Sequence, residues 1–256
     1  MKLSQARVPL LPTLFLVVLP LAADHHGGHN QLTAAEKAAG WSLLFDGHSL
    51  KGWTGMKGTG FPVRSWTIAD GTLQTLEDPR GGDLSTVKQY DNFELAFDFK
   101  ISPKGNSGLK YLVQHEWLSP HWSPEMADEW NAVQWLSAVG YEYQIFDDST
   151  LKREPGWELS SLGAFYLIHA PEGKKPNPPG EWNTARVLVD GVHVEHWLNG
   201  KKILEYELGS KETLAQVAAT KFRAVPGFGK KGPGNIVLQH HDSPAWFRNL
   251  KIRELE

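Results

Sequence analysis

The 256-residue sequence predicts an all-β fold, an antiparallel two-sheet β-sandwich of jelly-roll type with a Trp-rich loop insertion, and three observations carry that prediction. From Trp41 onward, short runs with apolar residues at every second position follow one another, the pattern of half-buried strands. Asp70-Gly71, Asp190-Gly191 and Asn199-Gly200 fall between such runs as two-residue hairpin signals. No helix–strand alternation, Walker loop, dinucleotide fingerprint or internal repeat interrupts the series, which excludes doubly wound and solenoid folds.

The first seven residues carry two positive charges and lead into an apolar run over 8–23 that closes on small residues before Asp24. This is the layout of a secretory signal peptide rather than of a membrane span, so residues 1–23 are expected to be removed from an exported, periplasmic or extracellular protein with no membrane attachment afterwards. The chain has no Cys, so the leader is not of the lipoprotein kind and no disulfide supports the fold. Residues 24–40 are expected to form a linker with a short helix over 32–39 behind the cap-like Thr33, and His25, His26 and His29 in it are given no role.

Residues 41–256 then form one domain. The formal charge of −3 falls to −5 once Lys2 and Arg7 are gone, which argues against nucleic acid or an anionic membrane as partner. In the first hairpin, 65–69 and 72–76 flank Asp70-Gly71. The next strand puts Phe93, Leu95, Phe97, Phe99 and Ile101 on one side and Glu94, Ala96, Asp98 and Lys100 on the other. Over 108–114, Leu109, Tyr111 and Val113 are expected inward and Lys110, Leu112 and Gln114 outward. Residues 115–139 break the alternation with Trp117, Trp122, Trp130 and Trp135 among Pro, Ser and acidic residues, an excursion of lid length with a helical stretch expected over 124–137. A meander over 183–189, 192–198 and 201–208 precedes a Pro/Gly-rich segment and the last two strands, over 236–240 and 246–253.

The run Gly140-Tyr141-Glu142-Tyr143-Gln144-Ile145 shows where chemistry sits: alternation places Glu142 and Gln144 on one face and the apolar residues on the other. Lys110 belongs to the neighbouring strand, so Glu142 is either a functional base or metal ligand or an ion-pair partner of Lys110. Gln239 and His241 share a parity, and a His near neutrality serves as acid, base or metal ligand; His240, of opposite parity, is expected to be structural. Asp147 is a metal ligand or a turn residue, Asn106 a turn residue or a donor, and Arg248 and Gln144 are polar donors that would orient a ligand. No Zn spacing occurs, so a divalent ion, if one takes part, would be held by scattered Glu142, Asp147, His241 and His115. Trp117, Trp122 and Trp135 are the candidates for stacking on a sugar ring.

The ordered motifs Leu44-Phe45-Asp46-Gly47, Trp66-Thr67-Ile68-Ala69-Asp70-Gly71, Gly105-Asn106-Ser107-Gly108, Gly140-Tyr141-Glu142-Tyr143-Gln144, Gly180-Glu181-Trp182-Asn183, Leu238-Gln239-His240-His241 and Phe247-Arg248-Asn249-Leu250 resemble the domain of unknown function 1080 family, also described as the 3-keto-disaccharide hydrolase family, over about 40–255. The resemblance implies a concanavalin-like jelly roll, export in bacteria, and cleavage of glycosides already oxidised to a ketone at C3. Two positions depart from the family pattern: Lys110 stands where Arg is usual, replacing a bidentate contact by a point charge, and Gln239-His240-His241-Asp242 stands where Gln-Asp-His-Gly is usual.

A C3 ketone acidifies the C2 proton, so the implied reaction is elimination of the C1 oxygen followed by hydration, with Glu142 as base or metal ligand, Lys110 as the cation at the enolate and His241 as an acid/base group or metal ligand. Asn106, Gln144, Gln239, Arg248, Trp117, Trp122 and Trp135 would bind substrate. A non-catalytic, lectin-like carbohydrate-binding module is the competing expectation, since the same sandwich and Trp platforms serve it. An ordinary retaining glycosidase ranks last, because the strand at Glu142 lacks a second carboxylate of the same parity.

Overall fold

The computed structural model describes residues 28–56, 60–77, 82–114, 117 and 138–256. The expected leader, His25 and His26, and within the Trp-rich excursion His115, Trp122, Trp135 and the helix over 124–137, lie outside the described residues.

The chain folds into two antiparallel sheets. The larger sheet runs from edge to edge as β11 (Lys201–Glu207), β10 (His193–Leu198), β9 (Asn183–Asp190), β6 (Phe93–Ile101), β13 (Ala245–Glu254), β4 (Thr72–Thr75) and β3 (Trp66–Ala69), with β1 (Ser42–Leu43) also pairing with β13. The smaller runs as β2 (Trp53–Gly55), β5 (Leu84–Tyr90), β12 (Gly234–Gln239), β7 (Asn106–Val113) and β8 (Tyr141–Phe146). Chain neighbours such as β6 and β7 fall in different sheets, so the strands cross over between layers as in a jelly roll.

The hairpin signals work as expected at two of the three sites. Asp70 and Gly71 (φ 51° and 68°) and Asn199 and Gly200 (47° and 77°) have the two positive φ values of type I′ turns. Between β9 and β10 the turn sits one residue further on: Asp190 pairs with His193, leaving Gly191 (φ 57°) and Val192 as the loop, with Gly at the first central position as in type II′.

The core lies between the sheets and is strongly aromatic. Phe93, Leu95, Phe97, Phe99 and Ile101 of β6 all point into it, as their alternation predicts, and meet Tyr111, Tyr141, Tyr143 and Ile145 of the smaller sheet. Edge-on pairs such as Phe97 with Tyr143, ring centroids 5.8 Å apart, add about 1 kcal/mol beyond area burial. In β7 the expected alternation is corrected at Leu112. Its positive φ of 50° makes a bulge opposite Ile236 of β12, so Leu112 turns into the main core while Val113 joins Met56, Ala138 and Val237 on the outer face. Gly234 makes room for this bulge, since a Cβ there would lie 2.2 Å from the Leu112 carbonyl carbon.

The helix expected over 32–39 is α1 (Ala34–Ala38), closed by a capping box of Thr33 and Glu36. A second helix, α2 (Lys211–Ala218), is not among the sequence expectations; Ser210 caps it and Thr213 and Val217 bury its inner side. Among the described residues, no helix is long and apolar enough to cross a membrane.

One polar chain crosses the core. His196 of β10 lies with Nδ1 2.9 Å from the Gly163 carbonyl and Nε2 2.6 Å from the Tyr111 hydroxyl, which is 2.5 Å from the Tyr206 hydroxyl. A carbonyl only accepts, so Nδ1 carries the proton, Nε2 accepts from Tyr111, and Tyr206 donates to Tyr111. Burial lowers the His196 pKa to about 4, which keeps the ring neutral.

Candidate active site

The outer face of the smaller sheet is where the polar residues gather. Register sets Ser85, Val237, Lys110 and Glu142 in one cross-strand row and Gln239, Gly108 and Gln144 in the next. Apolar neighbours in each strand face the other sheet, so alternation alone points these side chains away from the core. Glycine at 108 is required here: a Cβ would lie 2.4 Å from Glu142 Oε1, so the carboxylate occupies the space above that backbone.

Lys110 Nζ lies 2.9 Å from Asp83 Oδ2, a pair with both side chains almost wholly buried. Asp83 also accepts from the Ala138 amide (3.0 Å) and, through Oδ1, from the His240 amide (3.0 Å), so it anchors the end of the Trp-rich excursion and the end of β12 at once. In the orientation its neighbours require, the Gln239 amide donates to Glu142 Oε1 and accepts from Lys110 Nζ, both at 3.3 Å. Among the described residues Glu142 has no ion pair in contact. Burial therefore pushes its pKa up to about 7, Asp83 adds to the rise, and Lys110 and Lys221 oppose it.

Two further side chains flank Glu142. Residues 163–166 run beside β8, with the Gly163 amide donating to the Gln144 carbonyl, the Gln144 amide to the Ala164 carbonyl, and the Tyr166 amide to the Glu142 carbonyl at 3.2 Å. Burial raises the Tyr166 pKa and the Glu142 charge raises it further. Lys221, in a 3-10 turn over Lys221–Ala224, holds Nζ 5.2 Å from the Tyr166 ring centre and 5.5 Å from that of Phe222. Burial lowers its pKa; Glu142 opposes the change and Lys110 reinforces it.

Glu142, Lys110, Gln144 and Gln239 are thus brought together, and Asn106 shares their face at the start of β7. Its buried Oδ1 has no hydrogen-bond partner among the described residues, leaving an acceptor that a ligand hydroxyl would satisfy. Gln144 is partly engaged, its Nε2 3.5 Å from the Ser160 carbonyl. His241, Arg248 and Trp117 fall elsewhere. Hydrogen-bonded alternation ends at Gln239, because Asp83 captures the His240 amide and Asp242 takes a positive φ of 51°; His241 is exposed, and its side chain makes no hydrogen bond among the described residues. His240 is buried, with Nε2 2.6 Å from the Leu76 carbonyl, as expected of a structural residue. Arg248 lies in β13 of the other sheet, stacked 3.9 Å over Trp182 and 3.3 Å from Asp98 Oδ2, with the core between it and Glu142. Trp117 is 2 % exposed, packed on Tyr141 and Phe228 with its Nε1 donating to the Pro226 carbonyl, so neither ring face is open to a sugar.

Asp147 serves the chain turn, accepting from the Lys104 amide (2.8 Å) and the Ser149 amide (3.0 Å). Among the described residues, the groups around Glu142 are two ammonium ions and two amides, with Asp83 spent on Lys110, and these donors do not suit a divalent cation. Among the described residues, metal-ligating side chains converge only at His193, Glu195 and Glu205 on the other sheet, where Lys202 Nζ already lies 3.2 Å from Glu195 Oε1.

Asp83, Tyr166 and Lys221 are absent from the sequence expectations. Asp83 carried a usable signal, being two residues before Ser85 on the polar parity of β5; Tyr166 and Lys221 lie in irregular chain, where no period marks a face.

Residues 40–253 match the model of the 3-keto-alpha-glucoside-1,2-lyase-like domain. The 3-keto-disaccharide hydrolase of Bacteroides thetaiotaomicron is 31% identical over 242 residues, 86% of this chain and 80% of that protein. Two crystal structures from Parabacteroides distasonis, provisionally called glycosyl hydrolases, are similar in fold. One has a TM-score of 0.73 at 34% identity, covering 90% of this chain and 100% of that one; the other has 0.60 at 27%, covering 84% and 99%. The protein is a carbohydrate-active hydrolase, and with a match running through every strand from β1 to β12 and nearly all of β13, the chain belongs to the 3-keto-alpha-glucoside-1,2-lyase-like domain family.

Proposed function

We propose that this protein is exported and cleaves 3-keto-glycosides by elimination and hydration, with Glu142 as the base. The observation that supports it is a buried carboxylate with a pKa of about 7, beside a lysine and an amide on the rigid floor of a sheet. A base at work near neutrality needs that pKa, being about half ionised at neutral pH yet holding a proton strongly enough to take one from carbon. Glu142 accepts the C2 proton; the C–H electron pair passes into the C3 carbonyl as an enolate, then forms the C1–C2 double bond as the C1–O bond breaks. The departing oxygen takes a proton. Water then adds at C1 and a proton returns to C2, so the sum is hydrolysis. The charge of Lys110, fixed by Asp83, favours the enolate electrostatically, and Gln239 fixes the carboxylate. Asn106 and Gln144 offer polar contacts to sugar hydroxyls. A leader of the observed sequence pattern supports export.

The test is cleavage of a 3-keto-glucoside beside its unoxidised glucoside in D₂O. Cleavage of the ketone alone, with deuterium at C2 of the released sugar, is expected. Cleavage of neither sugar, or of both without C2 deuterium, overturns the reading.

A further inference from the structure

Elimination across C1–C2 needs a proton acceptor at one carbon and a proton donor at the oxygen on the next, so the base and the acid must stand within a few ångströms of each other. Around Glu142 the described residues offer two cations. Lys110 is a poor donor to a departing oxygen: its Nζ is held by Asp83 at 2.9 Å and faces the Gln239 amide at 3.3 Å, and it lies at the sheet floor with 3 % of the residue exposed. Lys221 approaches from another direction. It stands at the start of a 3-10 turn whose cap, Thr220, accepts from the Phe222 amide, and it reaches over Tyr166, the residue whose amide donates to the Glu142 carbonyl. The aromatic rings of Tyr166 and Phe222 limit where its ammonium can lie. It is close enough to Glu142 for each charge to shift the other's titration.

We propose that Lys221 is the general acid that protonates the departing glycosidic oxygen once Glu142 has removed the C2 proton, an assignment that rests on the elimination reading above. The ammonium gives its proton to the oxygen as the C1–O bond breaks and leaves as a neutral amine; solvent, or the protonated Glu142, restores the proton before the next turnover. Burial and Lys110 lower its pKa, which makes it a stronger acid than an exposed lysine. Among the described residues, the elements that carry neighbouring charges include β5 with Asp83 before it, β7 with Lys110 and β8 with Glu142, and the Tyr166 phenol lies on the adjoining segment.

The test uses leaving groups of different basicity. Wild type, Lys221→Met and Lys221→Arg are assayed on methyl 3-keto-glucoside, whose alkoxide must be protonated, and on 4-nitrophenyl 3-keto-glucoside, whose phenolate leaves without help. For Lys221→Met, kcat/KM should fall about 100-fold or more on the methyl substrate and less than about 10-fold on the nitrophenyl one. Lys221→Arg, which keeps the charge but is a far weaker acid, should follow Met on the methyl substrate. Exchange of the C2 proton into D₂O should persist in both variants, and a melting temperature within a few degrees of wild type shows that the fold survives; should Met unfold the protein, the Arg variant carries the comparison. Equal losses on the two substrates, full activity of Lys221→Arg, or no loss in either variant overturns the assignment. If wild type cleaves neither ketone, the elimination reading falls, and the role of Lys221 falls with it.

Discussion

The two outer faces of the sandwich both carry buried carboxylates, and they treat them in opposite ways. On the larger sheet, Glu94 is clasped by Arg186 at 2.5 Å and by Arg253, while Asp98 accepts from Thr184 Oγ1 (2.9 Å), Asn249 Nδ2 (2.7 Å) and Arg248 Nε (3.3 Å). On the smaller sheet Lys110 is spent on Asp83, and among the described residues Glu142 has one side-chain hydrogen bond, from the Gln239 amide at 3.3 Å, and a pKa of about 7. A satisfied carboxylate stiffens the sheet; one held back from its cation keeps a proton affinity useful at neutral pH. The difference lies in partners rather than in burial, since Glu94 is 6 % exposed and Glu142 7 %.

Removing the unsatisfied carboxylate should have the largest effect. Glu142→Gln should lower kcat on a 3-keto-glucoside by about a hundredfold or more with little change in KM, read by steady-state kinetics; a variant with undiminished kcat breaks the contrast between the faces. Gly108→Ala comes next, because the new Cβ would lie 2.4 Å from Oε1 and must push the carboxylate aside. Activity should fall at least about tenfold and unfolding free energy by about 1–3 kcal/mol, measured by kinetics and urea denaturation on the same preparation.

The pH response sharpens the comparison. Since the base must be ionised, kcat/KM should rise with pH through an apparent pKa near 7 and lose that limb in Glu142→Gln. Stability runs the other way. A carboxyl whose pKa is raised from 4.5 to about 7 on folding holds its proton more tightly in the native state, so stability falls as pH rises between those values, by about 3 kcal/mol at most. Glu142→Gln should therefore gain stability relative to wild type at pH 8 compared with pH 5; equal urea midpoints for the two proteins at both pH values would show that Glu142 is not held at such a cost. The smallest effect is expected on the other face. Arg248→Ala should cost about 1 kcal/mol, since Asp98 keeps two other donors, and should leave cleavage within about twofold of wild type.

Strand existence and facing were legible from period-two alternation because each strand has one dry side, and the type I′ turns were legible because only Asp, Asn and Gly tolerate two positive φ values in succession. The same logic identified Glu142, Gln144, Lys110 and Gln239, whose strands are paired without irregularity where those side chains emerge. It failed at the ends and irregularities of strands. His241 was placed by extending the β12 alternation two residues too far, and Val113 by carrying that of β7 through a bulge. Arg248 and Trp117 were assigned by residue type, yet which sheet a strand joins and whether an indole is covered are not properties of a local window. By itself the sequence determined which side chains share a strand face, because that depends only on the backbone repeat. Only the tertiary structure decided that Asp83 takes Lys110 while Tyr166 and Lys221 flank Glu142, because those pairings join segments 24 to 79 residues apart and depend on how loops close over a sheet.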